Sequence, residues 1–257
     1  MRIKNLGIMQ GRLSPQVGNK IQYFPWKTWK KEFSFAKKLK IKSIEWTLDY
    51  NRLSENPLLT KVGQKQITNI KKKYNIKCNS VTADCFMQKP FWKLKKNKKI
   101  LNLFETVIRS CFKLNIKILI LPLVDNGKLD NKLNETKFVS LMNSYSDFLK
   151  KNKLKIAFES DYPPSKLKRF IRKFDKNIFG INYDLGNSSH FGYDIRKEFE
   201  CYSDRIINIH IKDRLFKSHT VRLGDGNADF QNFFKLLDQM NYKKNLILQV
   251  ARSKKKK

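Results

Sequence analysis

Five polar side chains of this 257-residue chain close short apolar runs, where a buried strand ends: Glu45, Glu159, Asp184, His210 and Gln249. Side chains alternate between the two faces of a strand. Glu45 therefore shares a face with Ser43, Glu159 with Ala157 and Asp184 with Asn182. His210 shares one with Asn208 and Lys212, and Gln249 with Ile247. Carboxylates in an interior are costly unless paired, hydrogen-bonded or bound to metal. Carboxylate and amide oxygens favour Mg or Mn, and an imidazole nitrogen admits Mn, Co or Zn. The set therefore predicts one divalent cation: Mn, Mg, Co or Zn. A structural zinc does not fit, because no cysteine closes a run beside these residues. The plainer alternative is a series of unrelated polar groups on a rim. It explains Glu159, Asp184 and His210 less well jointly than singly.

The elements that carry these groups follow from hydropathy. Short apolar runs alternate with longer runs of helical periodicity, which is the βα signal. Strands are expected over Ile3–Met9, Ile41–Trp46, Ile76–Val81, Ile116–Leu121, Leu154–Phe158, Ile178–Tyr183, Ile206–Ile211 and Asn245–Val250. Seven helices intervene. Two have plain apolar stripes: Ile100, Leu103, Phe104, Val107, Ile108 and Cys111 in one, and Phe230, Phe233, Phe234, Leu237 and Met240 in the other. Asp229 is placed to cap the second. No linker rich in Pro, Gly or Ser divides the pattern. The expectation is a single-domain (β/α)8 TIM barrel over residues 1–252, with its eighth helix missing and a basic tail over 253–257. An open doubly wound sheet is the rival, and it lacks its glycine-rich fingerprint after the first strand.

Fifty-five Lys and Arg against 22 Asp and Glu give a net charge of +33. Such charge permits a nucleic-acid partner. The lysines are spread along the whole chain, however, as compositional bias would spread them. Cys78, Cys85, Cys111 and Cys201 form no CxxC pair, which fits reduced thiols in the cytoplasm. No stretch of 18 apolar residues occurs, and neither a signal peptide nor a membrane span is expected.

Seven segments then fall in order along the chain: GIMQGRLSP (Gly7–Pro15), IEWTLD (Ile44–Asp49), FES (Phe158–Ser160), YDLGN (Tyr183–Asn187), HIKDR (His210–Arg214), LGDGNADF (Leu223–Phe230) and LILQVAR (Leu246–Arg252). Together they resemble the xylose isomerase-like TIM-barrel superfamily, the sugar phosphate isomerase/epimerase group. The resemblance implies a metal held by Glu, Asp, His and a second Glu from the fifth to eighth strands. Glu159, Asp184 and His210 match the first three positions. Gln249 stands at the fourth, where it can ligate but cannot act as a base. The implied reaction is a metal-dependent sugar or sugar-phosphate isomerisation or epimerisation, in which a proton moves next to a carbonyl through an enediolate. Glu159 and Gln249 occupy the implied catalytic positions, and Glu45, Asn187, Lys212, Arg214 and Arg222 are expected to bind the sugar. Since Gln249 cannot exchange a proton, Glu45, Asp84, His190 or Lys212 must complete the transfer, or the reaction differs.

Two further features are open on sequence. Gly224 and Gly226 either expose backbone N–H groups to a phosphate or hydroxyl or form a plain turn. Trp26, Trp46 and Phe86 either wall a sugar site or pack a core. Two other functions also stand. An abasic-site endonuclease fits the charge but not the three histidines. A non-catalytic sugar-binding barrel fits Gln249 and the missing helix.

Overall fold

Eight strands close into one parallel barrel: β1 (Leu6–Met9), β2 (Ser43–Thr47), β3 (Ser80–Thr82), β4 (Ile118–Leu123), β5 (Lys155–Ser160), β6 (Phe179–Asp184), β7 (Ile206–Ile211) and, as the tenth strand in chain order, β10 (Asn245–Leu248). Between the last two, β8 (Asp213–Arg214) and β9 (Thr220–Val221) form a small antiparallel hairpin. β1 pairs with both β2 and β10, which shuts the barrel. The computed structural model describes residues 5–18, 21–94 and 98–252. The expected basic tail over 253–257 lies outside those residues, as does the start of the expected first strand. No helix follows β10 among the described residues. Among them, too, no helix is long and apolar enough to cross a membrane.

All eight expected strands occur, several displaced toward the C-terminus by one to four residues at their starts. The cause is legible in β4. Ile116 opens the apolar run but packs in the core ahead of the ladder, and the strand runs through Pro122 to Leu123. The helix over Lys98–Lys113 buries Ile100, Phe104, Val107, Ile108 and Cys111, the expected stripe. Asp229 caps the helix Phe230–Gln239 by accepting the Asn232 N–H at 3.0 Å. The expected helix around Phe138–Leu149 is two, Lys132–Ser144 and Ser146–Lys151. Short helices over Asp84–Gln88 and Leu185–Phe191, too brief to show a period, stand on the rim after β3 and β6.

Between barrel and helices, aromatic rings do much of the filling. Phe158 of β5 stacks on Phe179 of β6 with centroids 5.7 Å apart, and Phe138, Phe170 and Phe174 close around them. Inside the barrel, Ile120, Ala157 and Ile207 form a separate apolar plug. Alternation from Ile209 and Ile211 would place Ile207 under the helices. A register irregularity between Ile181 and Asn182, where β6 meets β7, turns it into the lumen instead. Gly180 makes room for it, because a Cβ there would lie 2.8 Å from the Arg205 carbonyl oxygen and 2.8 Å from Ile207. Gly180→Ala is expected to destabilise the fold by about 1–3 kcal/mol, the usual cost of overpacking. A urea midpoint equal to that of the unsubstituted protein would show that the plug is not packed this tightly.

Candidate metal centre and substrate cavity

Glu159, Asp184 and His210 come from the ends of β5, β6 and β7, and Asp184 and His210 are register partners. All three are buried, and each offers a ligand atom within 4.8 Å of the other two. His210 Nδ1 lies 3.2 Å from Glu159 Oε2 and 3.8 Å from Asp184 Oδ2. Asp184 divides its oxygens between two tasks. Oδ1 accepts the Asn187 N–H at 2.8 Å and caps the helix Leu185–Phe191, leaving Oδ2 for the cluster. Among the described residues this is the one group of three or more His, Cys, Asp or Glu side chains so arranged.

The imidazole is aimed by Glu45, which reaches across the lumen from β2. His210 Nε2 sits 2.6 Å from Glu45 Oε1. The same carboxylate accepts from the Ser80 and Thr82 hydroxyls at 2.7 Å each and from Asn208 Nδ2 at 3.0 Å. With the carboxylate accepting, Nε2 carries the proton and Nδ1 faces Glu159 and Asp184. Burial disfavours charge on both partners. For His210 the Glu45 charge, together with the Asp184, Glu159 and Glu45 oxygens around the ring, outweighs burial and holds the imidazole well above its ordinary value. Burial likewise raises Glu45, but the His210 charge and the His210, Ser80 and Thr82 hydrogen bonds bring it below the usual carboxylate range. Glu45 was expected to touch substrate. The structure places it elsewhere, fully buried beneath His210 with every acceptor engaged.

Of the other expected residues, Glu159, Asn187, Lys212, Arg214 and Gln249 line one cavity of about 500 Å³. Lys212 Nζ is 2.7 Å from Asp184 Oδ2. Asn187 donates from Nδ2 to Glu159 Oε1 at 2.9 Å and accepts from Arg214 Nη1 at 3.1 Å. Gln249 points its Nε2 at Met9 Sδ, 3.3 Å away, and its buried Oε1 has no hydrogen-bond partner. Asp184 Oδ2 likewise accepts no aligned hydrogen bond despite the nearby ammonium. The unpartnered Gln249 Oε1 and the Asp184 Oδ2, held only by the Lys212 ammonium, lie beside a carboxylate and an imidazole nitrogen and fit a divalent cation. Arg222 is not brought in: its side chain is 83% exposed and pairs with Asp225.

The glycine loop holds no external anion. Its N–H groups are taken by Asp213, a fully buried carboxylate that accepts from Gly224 at 2.8 Å, Gly226 at 3.0 Å and Ala228 at 3.0 Å. A Cβ on Gly226 would lie 2.1 Å from Asp213 Oδ1, so only glycine lets the loop wrap this closely. Trp46 and Phe86 are buried in the core. Trp26 lines a neighbouring cavity of about 880 Å³ that shares Gln22 with the first.

Three contributors were not singled out from the sequence. Asn182, inside β6, donates to Glu159 Oε2 at 2.7 Å and accepts from Asn208 at 2.8 Å, joining the cluster to the polar lumen. Arg12 enters the cavity wall from the loop after β1. Burial, with Arg252 close by, lowers its guanidinium to about 10. That loop is folded around Glu32, which accepts the Gly11 N–H at 2.9 Å and the Leu13 N–H at 3.1 Å. Burial pushes the Glu32 carboxyl up to about 6. The signal for Arg12 lay in GIMQGRLSP, whose placement at the end of β1 could have marked it.

Of the proton-transfer candidates besides Glu45, Lys212 is tied to Asp184, and His190 Nδ1 lies 3.1 Å from the Ser218 carbonyl oxygen. Asp84 lines the cavity at the first position of the helix after β3. Burial, then the negative charges of Asp49 and Glu159, raise its carboxyl well above the ordinary range.

Comparison with known proteins places this geometry. The chain is 30% identical over 99 residues to the putative L-ribulose-5-phosphate 3-epimerase SgbU of Escherichia coli strain K12. That match spans 36% of this chain and 35% of the relative, so the chain aligns with about a third of it. Among solved structures, D-psicose 3-epimerase with D-tagatose from Clostridium cellulolyticum H10 superposes with a TM-score of 0.74 at 12% identity, covering 95% of this chain and 84% of that one. The IOLI protein with a zinc atom superposes with a TM-score of 0.72 at 16% identity, covering 96% and 89%. At these identities the superpositions speak for the fold. The family model described as xylose isomerase-like TIM barrel matches residues 33–256, and the chain belongs to that family.

Proposed function

We propose that the protein is a metal-dependent sugar or sugar-phosphate isomerase or epimerase. The observation that carries this reading is the convergence of Glu159, Asp184 and His210 within 4.8 Å, beside the orphaned Gln249 Oε1. These four residues would hold a single divalent cation: Mn, Mg, Co or Zn. When bound, the cation supplies Lewis acidity that polarises a carbonyl and stabilises an enediolate. The epimerase relative and the sugar-bound and zinc-bound neighbours support that choice of chemistry.

The chain's own residues supply the rest. Glu159 takes the proton from the carbon next to the carbonyl. Asn182 and Asn187 each donate to one of its oxygens, so its position is held. Asp184 is anchored by its helix-capping role and cannot swing away. Arg12, Lys212 and Arg214 line the same cavity and give it cationic groups suited to sugar hydroxyls or an anionic substituent. Asn187 acts on the sugar only indirectly, because its amide is committed to Glu159 and Arg214.

Titration of the protein with Mn(II) is expected to reach one ion per chain. Glu159→Gln is expected to reduce interconversion of L-ribulose 5-phosphate or D-tagatose with its epimer by roughly 10²–10⁴-fold, the usual contribution of a general base. Unchanged turnover in that variant would remove Glu159 from the mechanism.

Metal affinity should also depend on pH in a stated direction. Nδ1 of His210 must lose its proton to ligate. Because Glu45 raises the imidazole above its ordinary value, affinity is expected to fall as pH drops through that raised value and to level off above it. Glu45→Gln removes the charge that raises it. The midpoint should then move to lower pH, while affinity on the plateau falls roughly 10–100-fold as the ring loses its partner. Mn(II) titrations across pH that superimpose for both proteins would show that Glu45 does not tune the imidazole.

A further inference from the structure

We infer that Asp84 is the second proton-transfer group of this cavity, returning to the substrate the proton equivalent that Glu159 removes. The inference rests on the isomerase/epimerase reading. An epimerisation needs an acid and a base, and the amide of Gln249 can be neither. Of the remaining candidates, Glu45 is sealed beneath His210 with all its acceptors engaged, Lys212 is paired with Asp184, and His190 is turned to a backbone carbonyl. No ion pair holds Asp84 among the described residues, and its side chain lines the cavity with Glu159 and Gln249.

Its place in the barrel is suited to the task. Ser80 and Thr82 of β3 send their hydroxyls into the lumen to Glu45, and Asp84 lies two residues beyond Thr82, where the next helix begins. Thr82 is the register partner of Ile120, Ile120 of Ala157, and Pro122 of Glu159. Asp84 itself stands past the end of β3, at the first position of the helix Asp84–Gln88, and lines the cavity together with Pro122 and Glu159. The two carboxyl groups thus open on one cavity, from beyond the ends of β3 and β5 on either side of β4. The groups around Asp84 are Arg12 from the β1 loop, Glu45 and Asp49 from β2 and its following loop, Glu159 from β5 and His210 from β7. Burial and the neighbouring carboxylates favour the protonated form, the form an acid needs.

The transfer balances. Glu159 accepts the proton as the substrate C–H bond breaks, and the electron pair moves into the adjacent carbonyl to give the enediolate. The carbonyl re-forms as that carbon takes a proton from the Asp84 O–H, leaving Asp84 ionised and Glu159 protonated. Exchange with water resets both.

The test uses the Mn(II)-loaded full chain in D2O with L-ribulose 5-phosphate and D-tagatose, and binding of glycolohydroxamate, a small enediolate mimic. Asp84→Asn is expected to lose epimer formation roughly 10²–10⁴-fold. It should keep exchange of the substrate hydrogen that Glu159 reaches, so that deuterium enters without inversion. Asp84→Glu should recover part of the inversion. Asp84→Ala should bind glycolohydroxamate at least about tenfold more weakly, while Asp84→Asn, which keeps an N–H donor, loses less. Epimerisation by Asp84→Asn within threefold of the unsubstituted protein would overturn the assignment. So would loss of exchange and inversion together, or unaltered hydroxamate affinity in Asp84→Ala. If the unsubstituted protein itself binds no glycolohydroxamate, the isomerase/epimerase reading falls and this assignment with it.

Discussion

The arrangement depends on one contact, the hydrogen bond across the barrel lumen between Glu45 and His210. Both groups are fully buried, and a barrel interior is ordinarily filled with branched apolar side chains. A lone carboxylate there would be untenable. Glu45 persists because Ser80, Thr82, Asn208 and His210 all donate to it. The consequence reaches the rim. With Nε2 committed to Glu45, only Nδ1 is left to face Glu159 and Asp184, so the ring has one orientation and one useful nitrogen.

Around that contact the lumen divides by chemistry. Ile120, Ala157 and Ile207 make a dry plug, and the polar chain Glu45–Asn208–Asn182–Glu159, with His210 bonded to Glu45, runs beside it. The irregular register between β6 and β7 serves both. It lets Ile207 join the plug while Asn208 and His210 keep their lumenal positions. A polar network of this kind is stable only when its members are satisfied. Asn208 Oδ1 within it lacks a hydrogen-bond partner, as do Asp184 Oδ2 and Gln249 Oε1 at the rim, and the last two belong to the proposed ligand set.

Two other buried carboxylates shape the rim. Glu32 gathers backbone N–H groups of the loop after β1 and so sets Arg12 in the cavity wall. Asp213 does the same for the Gly224–Ala228 turn beyond β7. In each case a charge stripped of water is stabilised by several oriented amides, and a loop that would otherwise be free acquires a single course. Among the described residues, Arg12, Lys212 and Arg214 bring the chain's positive charge to the site, and Arg222 remains in solvent.

Much of this could be read along the chain. Strict alternation placed Glu159, Asp184 and His210 late on the lumenal faces of three successive strands. Geometry then followed from the barrel, because parallel neighbours in register bring equal heights together. The apolar stripes of Lys98–Lys113 and Phe230–Gln239 marked their helices for the same reason: burial imposes a period. What a linear pattern cannot carry is the partner on the far side. Glu45 and His210 are 165 positions apart, and only closure of the sheet makes one the orienting base of the other. The glycines of LGDGNADF looked open to a ligand until the fold delivered Asp213 to their amides. Ile207 followed the alternation of its strand until a bulge, invisible in hydropathy, turned it inward. Ile207 apart, the sequence by itself determined which strand residues would be buried and on which face, since those depend on local period. The tertiary structure alone decided which polar groups would find one another, since desolvated charges settle by pairing across the fold.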